Sequence, residues 1–252
     1  MILRRITNAL KRQDWITVLI ETLIVVLGVF LGLQVNNWNA ERTEHAQSLT
    51  FTHALENDLH ADAALYRQIA DYYSTVREDG LRALASLEGS APLADEALVV
   101  NAYRASQVAL APVNRSTFDE LVSTGRINLI TDLTLRAAAT EHFGFNFIDT
   151  AAADGRQSDY RRLFRGTIPP DAHHAARTEC GDRSINNVVT LDYPCSLGLT
   201  AGAVSRAADA LRADDSLPPA LRRRINELDV QIADLESEAG QLDRTIGLKE
   251  ER

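Results

Sequence analysis

Lysine is almost absent from this sequence, and acidic side chains outnumber basic ones. Lysine occurs only at positions 11 and 249, and 26 basic residues stand against 35 acidic ones, for a formal net charge of −9 at pH 7. Residues 1–38 hold four basic and two acidic side chains, so the rest of the chain carries −11. A surface this acidic repels phosphate backbones and anionic lipid headgroups, and we therefore expect no nucleic-acid partner.

The sequence also lacks recognisable catalytic motifs. It contains no nucleophile elbow, no phosphate-binding loop and no HExxH metal motif. His45, His53 and His60 lie near one face of a predicted helix, with Glu56 nearby. Histidines on the surface of an amphipathic helix are a commoner explanation of that pattern than a metal site. We accordingly expect no enzyme activity, no bound metal and no cofactor.

Only one long hydrophobic run is present, and it lies near the N-terminus. It covers residues 15–38, WITVLIETLIVVLGVFLGLQVNNW, with tryptophans 23 positions apart at its two ends. At about 1.5 Å per residue this is roughly 35 Å, which matches a hydrocarbon core of about 30 Å plus its interfaces. Tryptophan is favoured at such interfaces. The run predicts one membrane-spanning helix, and without a second run the chain is predicted to be single-pass.

An uncleaved signal anchor has two alternatives, a cleaved signal peptide and a buried helix of a soluble protein. The segment LQVNNWNAER at the end of the run offers no A-x-A cleavage site, and an all-round apolar helix would need a large core around it. Four basic residues precede the run: Arg4, Arg5, Lys11 and Arg12. The positive-inside rule then predicts a cytoplasmic tail over residues 1–14, a transmembrane signal anchor over residues 15–38 and an extracytoplasmic remainder.

The small and polar residues of the run share one narrow stripe of the predicted helix. At roughly 100° per residue, that stripe holds Asp14, Thr17, Glu21, Gly28, Gly32 and Asn39. Gly28 and Gly32 form a G-x-x-x-G pair, which lets two helix backbones approach closely. Glu21 is costly inside a bilayer, where a central charge is unfavourable by about 2.5 to 3.5 kcal/mol.

Three roles stay open for Glu21. It bonds its counterpart in a homodimer, where two carboxyls share a proton, or it pairs with a cation on a different membrane protein. In the third role, its side chain extends toward the interface and makes no specific contact. The first two roles make the stripe a contact surface. The expected partners are thus the membrane itself and either a second copy of the chain or another membrane protein.

The segment Glu21–Arg42, ETLIVVLGVFLGLQVNNWNAER, resembles the N-terminal signature GE-I-x-LVVIGILIALQVNNWNEER of a bacterial membrane protein family without an assigned activity. Thr117–Leu135 (TFDELVSTGRINLITDLTL) is also similar to that family's pattern of a short helix, a glycine turn and a new helix. Thr22 and Gly32 depart from the signature. The resemblance implies a single-pass membrane protein. Together with the basic residues before the run, it implies a location in the bacterial inner membrane and a periplasmic C-terminal domain. It implies no activity. The matching residues are Glu21, Val25, Val26, Gly28, Leu33, Gln34, Val35, Asn36, Asn37, Trp38, Asn39, Glu41 and Arg42.

Polar residues collect where the predicted helix leaves the bilayer. This interfacial collar consists of Gln34, Asn36, Asn37, Trp38 and Asn39. Its amides have the donors and acceptors to bond lipid headgroups or water. A docking surface for a partner chain is the alternative role of the collar.

Apolar residues after the run are spaced mostly as in helices. We predict a mainly α fold, in which one N-terminal transmembrane helix precedes an extracytoplasmic helical bundle with a C-terminal heptad helix. The helical domain covers residues 39–165, and its first helix reaches about Leu87. Further predicted elements are helices over 92–110, 116–125 and 131–164, candidate interruptions at Gly80, Gly144 and Gly155, helix caps at Ser116 and Thr131, and one candidate strand over 187–191.

Residues 166–216 are predicted as a loop region, because prolines and glycines interrupt them. Both cysteines, Cys180 and Cys195, lie there, and the predicted topology puts them in an oxidising compartment. We predict a disulfide, which contributes about 3 kcal/mol in the chain-entropy model. The alternatives are two free thiols or a metal site with His173 and His174, whose spacing fits no standard zinc pattern.

Residues 217–252 are predicted as a coiled-coil-like helix. Its apolar positions alternate four and three apart over more than three heptads. An intramolecular seam against the first outer helix is favoured, because Glu238 would face Asp243 across a parallel homodimer. Intermolecular pairing is the alternative. The heptad positions are Leu221, Ile225, Leu228, Ile232, Leu235, Ala239, Leu242 and Ile246.

These features together indicate a membrane-anchored envelope protein. Its predicted role is structural or in assembly, with association through the transmembrane helix. The alternative is an extracytoplasmic sensor or ligand-binding module. Such a module would act through a membrane partner, because a tail of residues 1–14 has no room for a signalling domain.

Replacement of a stripe glycine tests the homodimer role. Gly28→Ile is expected to lower self-association of the span about tenfold in a membrane two-hybrid assay, because a branched side chain separates the two backbones. Phe30→Ile is the matched control, since it places the same side chain on the opposite face of the helix. Unchanged association of the Gly28 variant would contradict the homodimer.

Overall fold

The computed structural model describes residues 15–145, 147–185 and 188–250. It is 79% helical with 2% strand, which confirms the mainly α prediction. The chain divides into two compact units, residues 1–53 (unit 1) and residues 54–252 (unit 2). The predicted cytoplasmic tail over residues 1–14 lies outside the described residues.

One helix dominates the first third of the chain, and shorter helices with a single hairpin follow. The hairpin strands pair antiparallel, with Ser184 opposite Val189. The elements in chain order are α1 Trp15–Leu87, α2 Asp95–Ala105, α3 Ser116–Ser123, a 3₁₀ turn Ile127–Leu129, α4 Leu133–Gly144, α5 Phe147–Gln157, α6 Asp159–Thr167, α7 Pro170–Glu179, β1 Arg183–Ile185, β2 Val188–Thr190, α8 Ala201–Ala213 and α9 Leu217–Glu250.

Helix α1 runs through Gly80 without interruption and ends at Leu87. A Cβ atom added at Gly80 would lie 3.3 Å from Cγ1 of Ile225 and 3.5 Å from Cδ1 of Leu221, both on α9. The candidate break at Gly80 is therefore wrong. The missing side chain lets α9 lie close to the unit 2 part of α1, and helix continuity is maintained by the surrounding packing.

The heptad positions of α9 form part of the core of unit 2. Leu221, Leu228 and Leu235 are fully buried, and the other heptad positions are buried except Ile232, which is half-buried. The contacts at Gly80 agree with an intramolecular seam against the first outer helix. Helix α9 also packs against α4 and α6, so its apolar stripe faces several helices.

The region predicted as one helix over 131–164 contains three. Helix α4 ends at Gly144 as expected, but Gly155 lies inside α5 and does not interrupt it. The second boundary is at Ser158, whose hydroxyl accepts a hydrogen bond from the backbone N–H of Arg161 and caps α6. Asp132, not Thr131, caps α4, because its carboxylate accepts the N–H groups of the first turn.

The start of α3 also differs from its predicted capping box. Ser116 is the first helical residue and not the cap. Asp119 is held instead by the guanidinium of Arg115, at 3.0 Å. Gly125 ends this segment as predicted, and its φ of +69° is the left-handed conformation that favours glycine.

Residues 166–216 are largely structured, contrary to the predicted loop region. They contain α7, the β1–β2 hairpin and α8. The prolines were misleading because Pro170 begins α7, a position where its missing N–H costs nothing. Thr200 caps the alanine-rich α8 by accepting the N–H of Ala203. Strand β1 had no sequence signal, and part of the strand predicted over 187–191 is β2.

The predicted disulfide is confirmed. Cys180 and Cys195 are bonded, with their Cα atoms 5.4 Å apart and a sequence separation of 15. The alternatives of two free thiols and of a metal site on these cysteines are therefore wrong. The bond joins the end of α7 to the segment that leads into α8, so it closes the hairpin region as one loop.

Gly155 provides a test of close packing at α5. An added Cβ would lie 2.9 Å from Cγ2 of Val108 and 3.2 Å from Nη2 of Arg224. Gly155→Ala is expected to lower the free energy of unfolding by about 1–3 kcal/mol through overpacking. Urea unfolding of the detergent-solubilised chain, followed by circular dichroism, measures the change.

Gly166→Ala is the matched control, because nothing lies within 4 Å of a Cβ there and the residue is also helical. The free energy of unfolding of this variant is expected to rise by about 0.5–1 kcal/mol, because alanine lowers the entropy of the unfolded chain. Equal effects of the two substitutions would contradict the packing at Gly155.

Candidate functional site

The N-terminal part of α1 presents apolar side chains to its surroundings. Among the described residues, fourteen large apolar side chains between Ile16 and Trp38 are each at least 49% exposed. In the most apolar 18-residue stretch of this helix, no described residue is buried. This helix is long and apolar enough to cross a membrane.

The stripe residues occupy one face of this helix. Because residues 15–38 are helical throughout, positions four and seven apart share a face, which places Glu21, Gly28 and Gly32 together. Nothing lies within 4 Å of a Cβ built at either glycine, and Glu21 is exposed. The side chain of Thr17 lies outside the described part of the structure. The described stripe is thus an open surface along the helix.

The collar residues are also exposed. Trp38 is 62% exposed, and the guanidinium of Arg42 lies over its ring, 6.0 Å from the centroid. This cation–π contact holds the indole against the next turn of the helix. The backbone carbonyl of Asn39 accepts the hydroxyl of Thr43 at 2.9 Å. Gln34, Asn36 and Asn37 remain exposed for contacts with headgroups, water or a partner.

Unit 2 contains a buried polar cluster that the sequence did not predict. Nε2 of His142 on α4 lies 2.9 Å from Oδ2 of Asp62 on α1, and the two side chains are 3% and 2% exposed. The second carboxylate oxygen of Asp62 accepts the backbone N–H of Asn114 at 3.0 Å. The Asn114 amide donates to Asp58 at 2.6 Å. The cluster joins α1, α4 and the segment before α3.

The central pair of this cluster is almost completely shielded from solvent. A catalytic Asp–His pair needs its second ring nitrogen to reach a nucleophile or substrate. Nδ1 of His142 is buried and unpartnered within the described residues. The ring packs edge-on against Tyr66 and Phe143, at centroid distances of 5.5 and 4.7 Å. Burial raises the pKa of Tyr66, and the carboxylates of Glu238 and Asp62 act in the same direction.

One sequence signal for the cluster was available. The apolar residues of α1 in unit 2 recur three, four or seven apart, and Leu59, Tyr66 and Ile69 belong to that series. Asp62 is three residues after the first and four before the second, so it lies in register with the buried stripe. A carboxylate in that register needs a buried partner. Asn114 and His142 could not be identified as those partners from local spacing.

An acidic groove lies along α5, α6 and α9. It encloses about 600 Å³ and is lined by four carboxylates, of which Asp159 is bonded by Arg162 at 2.5 Å and Arg223 at 2.8 Å. Burial raises the pKa of Glu227, although Arg224 opposes the shift. In the ranges that the structure describes, no three His, Cys, Asp or Glu side chains are arranged to hold a metal ion.

Comparison with known proteins assigns no role to these sites. The chain matches no family model, no curated protein and no solved structure.

Removal of the Asp62 carboxylate tests the structural role of the buried cluster. Asp62→Ala is expected to lower the free energy of unfolding by about 3–5 kcal/mol, because it leaves the buried His142 without its partner and removes the acceptor of the Asn114 N–H. Urea unfolding in detergent measures the loss. Asp62→Asn keeps an acceptor for the Asn114 N–H, so its free energy of unfolding is expected to fall less than that of Asp62→Ala.

The exposed Asp71 on the same helix supplies the control. Asp71→Ala is expected to change the free energy of unfolding by no more than about 0.5 kcal/mol. If the Asp62 and Asp71 variants unfolded at the same urea concentration, the buried cluster would have no stabilising role.

Proposed function

We propose that this chain is a membrane-anchored envelope protein that associates with a second membrane helix and has a structural or assembly role. The observation that carries the proposal is the exposure of the apolar segment between Ile16 and Trp38. Burying one large apolar side chain contributes about 1.5–3 kcal/mol. A continuous exposed run of such residues is therefore stable in a bilayer and not in water.

Two features support the proposed orientation. The basic residues before the span belong on the cytoplasmic side by the positive-inside rule, which sends unit 2 across the membrane. The disulfide between Cys180 and Cys195 is of the kind that forms and persists in oxidising compartments. The resemblance of Glu21–Arg42 implies a bacterial protein. In a bacterium the span would lie in the inner membrane, and unit 2 would lie in the periplasm, which is oxidising.

The stripe of Thr17, Glu21, Gly28 and Gly32 is the proposed association surface. The open space at both glycines allows a second helix backbone to approach. Glu21 would contact lipid on an isolated span, whereas a partner helix offers its carboxyl a hydrogen bond or a cation. The collar would then meet the corresponding polar residues of the partner at the interface.

Unit 2 has no proposed catalytic role. Its buried Asp62–His142 pair is shielded from solvent, and the ion pairs Arg67–Asp243 and Arg77–Asp229 are exposed links between α1 and α9. Exposed pairs of this kind contribute at most about 1 kcal/mol each. We assign unit 2 the part of a rigid helical body on the far side of the membrane.

Association through the stripe is tested by co-purification of two differently tagged copies. In mild detergent the wild-type copies are expected to elute together, and Glu21→Leu is expected to reduce the recovered partner about tenfold by removing the interhelical hydrogen bond. Glu41→Leu is the matched control, because it introduces the same side chain on the same helix beyond the span. Equal recovery from the two variants would contradict a role for Glu21.

A further inference from the structure

Two consecutive helices of unit 2 pack against the same tyrosine ring. Helices α6 and α7 are separated only by Ile168 and Pro169. Phe164 of α6 and His173 of α7 each contact Tyr103 of α2, at ring-centroid distances of 6.3 and 6.1 Å. Both helices therefore pack against one side chain.

Cationic side chains lie near this contact, because burial and Asp182 raise the pKa of Tyr103 whereas Arg161, Arg165 and Arg177 lower it. Arg161 and Arg165 are one turn apart on α6, and His173 and Arg177 are one turn apart on α7. The guanidinium of Arg161 donates to the backbone carbonyl of Ser106, three residues beyond Tyr103. We call Arg161, Arg165, His173 and Arg177 the arginine cluster.

Gly181 brings the end of α7 close to the Tyr103 hydroxyl. A Cβ added at Gly181 would lie 2.5 Å from the backbone carbonyl oxygen of Arg177 and 3.3 Å from Oη of Tyr103. Any larger residue would force these groups apart. The glycine therefore positions a neutral O–H donor beside the last turn of the helix that carries Arg177.

The arginines of the cluster have no carboxylate partner among the described residues. Arg161 bonds only a backbone carbonyl, and Arg165 and Arg177 make neither an ion pair nor a hydrogen bond. Asp182 is the nearby carboxylate, and its Oδ1 accepts the hydroxyl of Tyr72 at 2.7 Å.

The electrostatics of the neighbouring groups agree with a local excess of positive charge. Burial lowers the pKa of His173, and Arg165, Arg177 and Arg161 lower it further. Burial also lowers the pKa of Arg161, with Arg165 as the next cause. Salt limits the reach of distant acidic side chains to about 8–10 Å, so the net charge of the chain does not cancel this local field.

We propose that the arginine cluster, with the Tyr103 hydroxyl beside it, is a binding site for a phosphate group that carries two or more negative charges. Three guanidinium groups are neutralised only in part by one carboxylate, whereas a phosphate monoester or diphosphate matches their charge. The planar fork of arginine donates two parallel hydrogen bonds to phosphate oxygens. The ligand is either a soluble phosphate compound or the phosphomonoester headgroup of a lipid.

Calorimetric titration of the detergent-solubilised full chain with inorganic diphosphate tests the site at constant ionic strength. Binding by the wild type is expected, with at least a tenfold weaker Kd for Arg165→Gln and for Arg177→Gln. Both arginines are exposed, so the variants are expected to keep the wild-type circular dichroism spectrum. Arg206→Gln on α8, an equally exposed arginine outside the cluster, is expected to bind like the wild type.

A second arm distinguishes the source of the phosphate. The chain is reconstituted in phosphatidylcholine nanodiscs with or without phosphatidic acid, and protection of the cluster arginines from phenylglyoxal is measured by mass spectrometry. Protection by phosphatidic acid alone would identify a lipid headgroup, and diphosphate binding alone would identify a soluble ligand. Absence of both effects, or equal losses in the Arg165, Arg177 and Arg206 variants, would overturn the proposal.

Discussion

The close approach of α1 and α9 is the contact on which unit 2 depends. Gly80 lets Leu221 and Ile225 lie against the α1 backbone, and the buried heptad positions of α9 continue that contact along the helix. Ion pairs from Arg67 to Asp243 and from Arg77 to Asp229 accompany the seam on its exposed sides. Since the later part of α1 is the first helical segment of unit 2 and α9 is its last helix, their contact closes the chain around the shorter helices. This contact brings together residues about 150 positions apart. Its formation costs the conformational entropy of closing a long loop.

Polar groups buried in this core select one arrangement of the helices. The hydrogen bonds that join Asp62 to His142 and Asn114, and Asn114 to Asp58, form only when α4 and the segment before α3 occupy their observed places. A shift of either element would leave a buried carboxylate without a partner, at a cost larger than the loss of an apolar contact. Asp62 and His142 are the residue types of a catalytic Asp–His pair, but here they constrain how the helices pack.

The two units present different chemistry to their surroundings. The span in unit 1 offers apolar surface with one carboxylate and two glycines on a single face, which suits another helix in a bilayer. Unit 2 is acidic and carries exposed ion pairs, but it also holds three neighbouring arginines that form no ion pair among the described residues. In the proposed topology these two surfaces lie in different phases, so an association in the membrane and an anion site outside it do not compete.

Local spacing along the chain was enough to predict the mainly α fold, the apolar span, the heptad helix and the pairing of Cys180 with Cys195. Each of these depends on residues close in sequence or on a residue type present only twice. The helices inside 166–216, the role of Gly80 and the boundary at Ser158 required the structure, because neighbouring elements decide whether a proline or glycine ends a helix. The partners of Asp62 and the joint position of the α6 and α7 arginines also depended on tertiary structure. Periodicity shows which face of a helix is buried, but only packing decides which distant side chain that face meets.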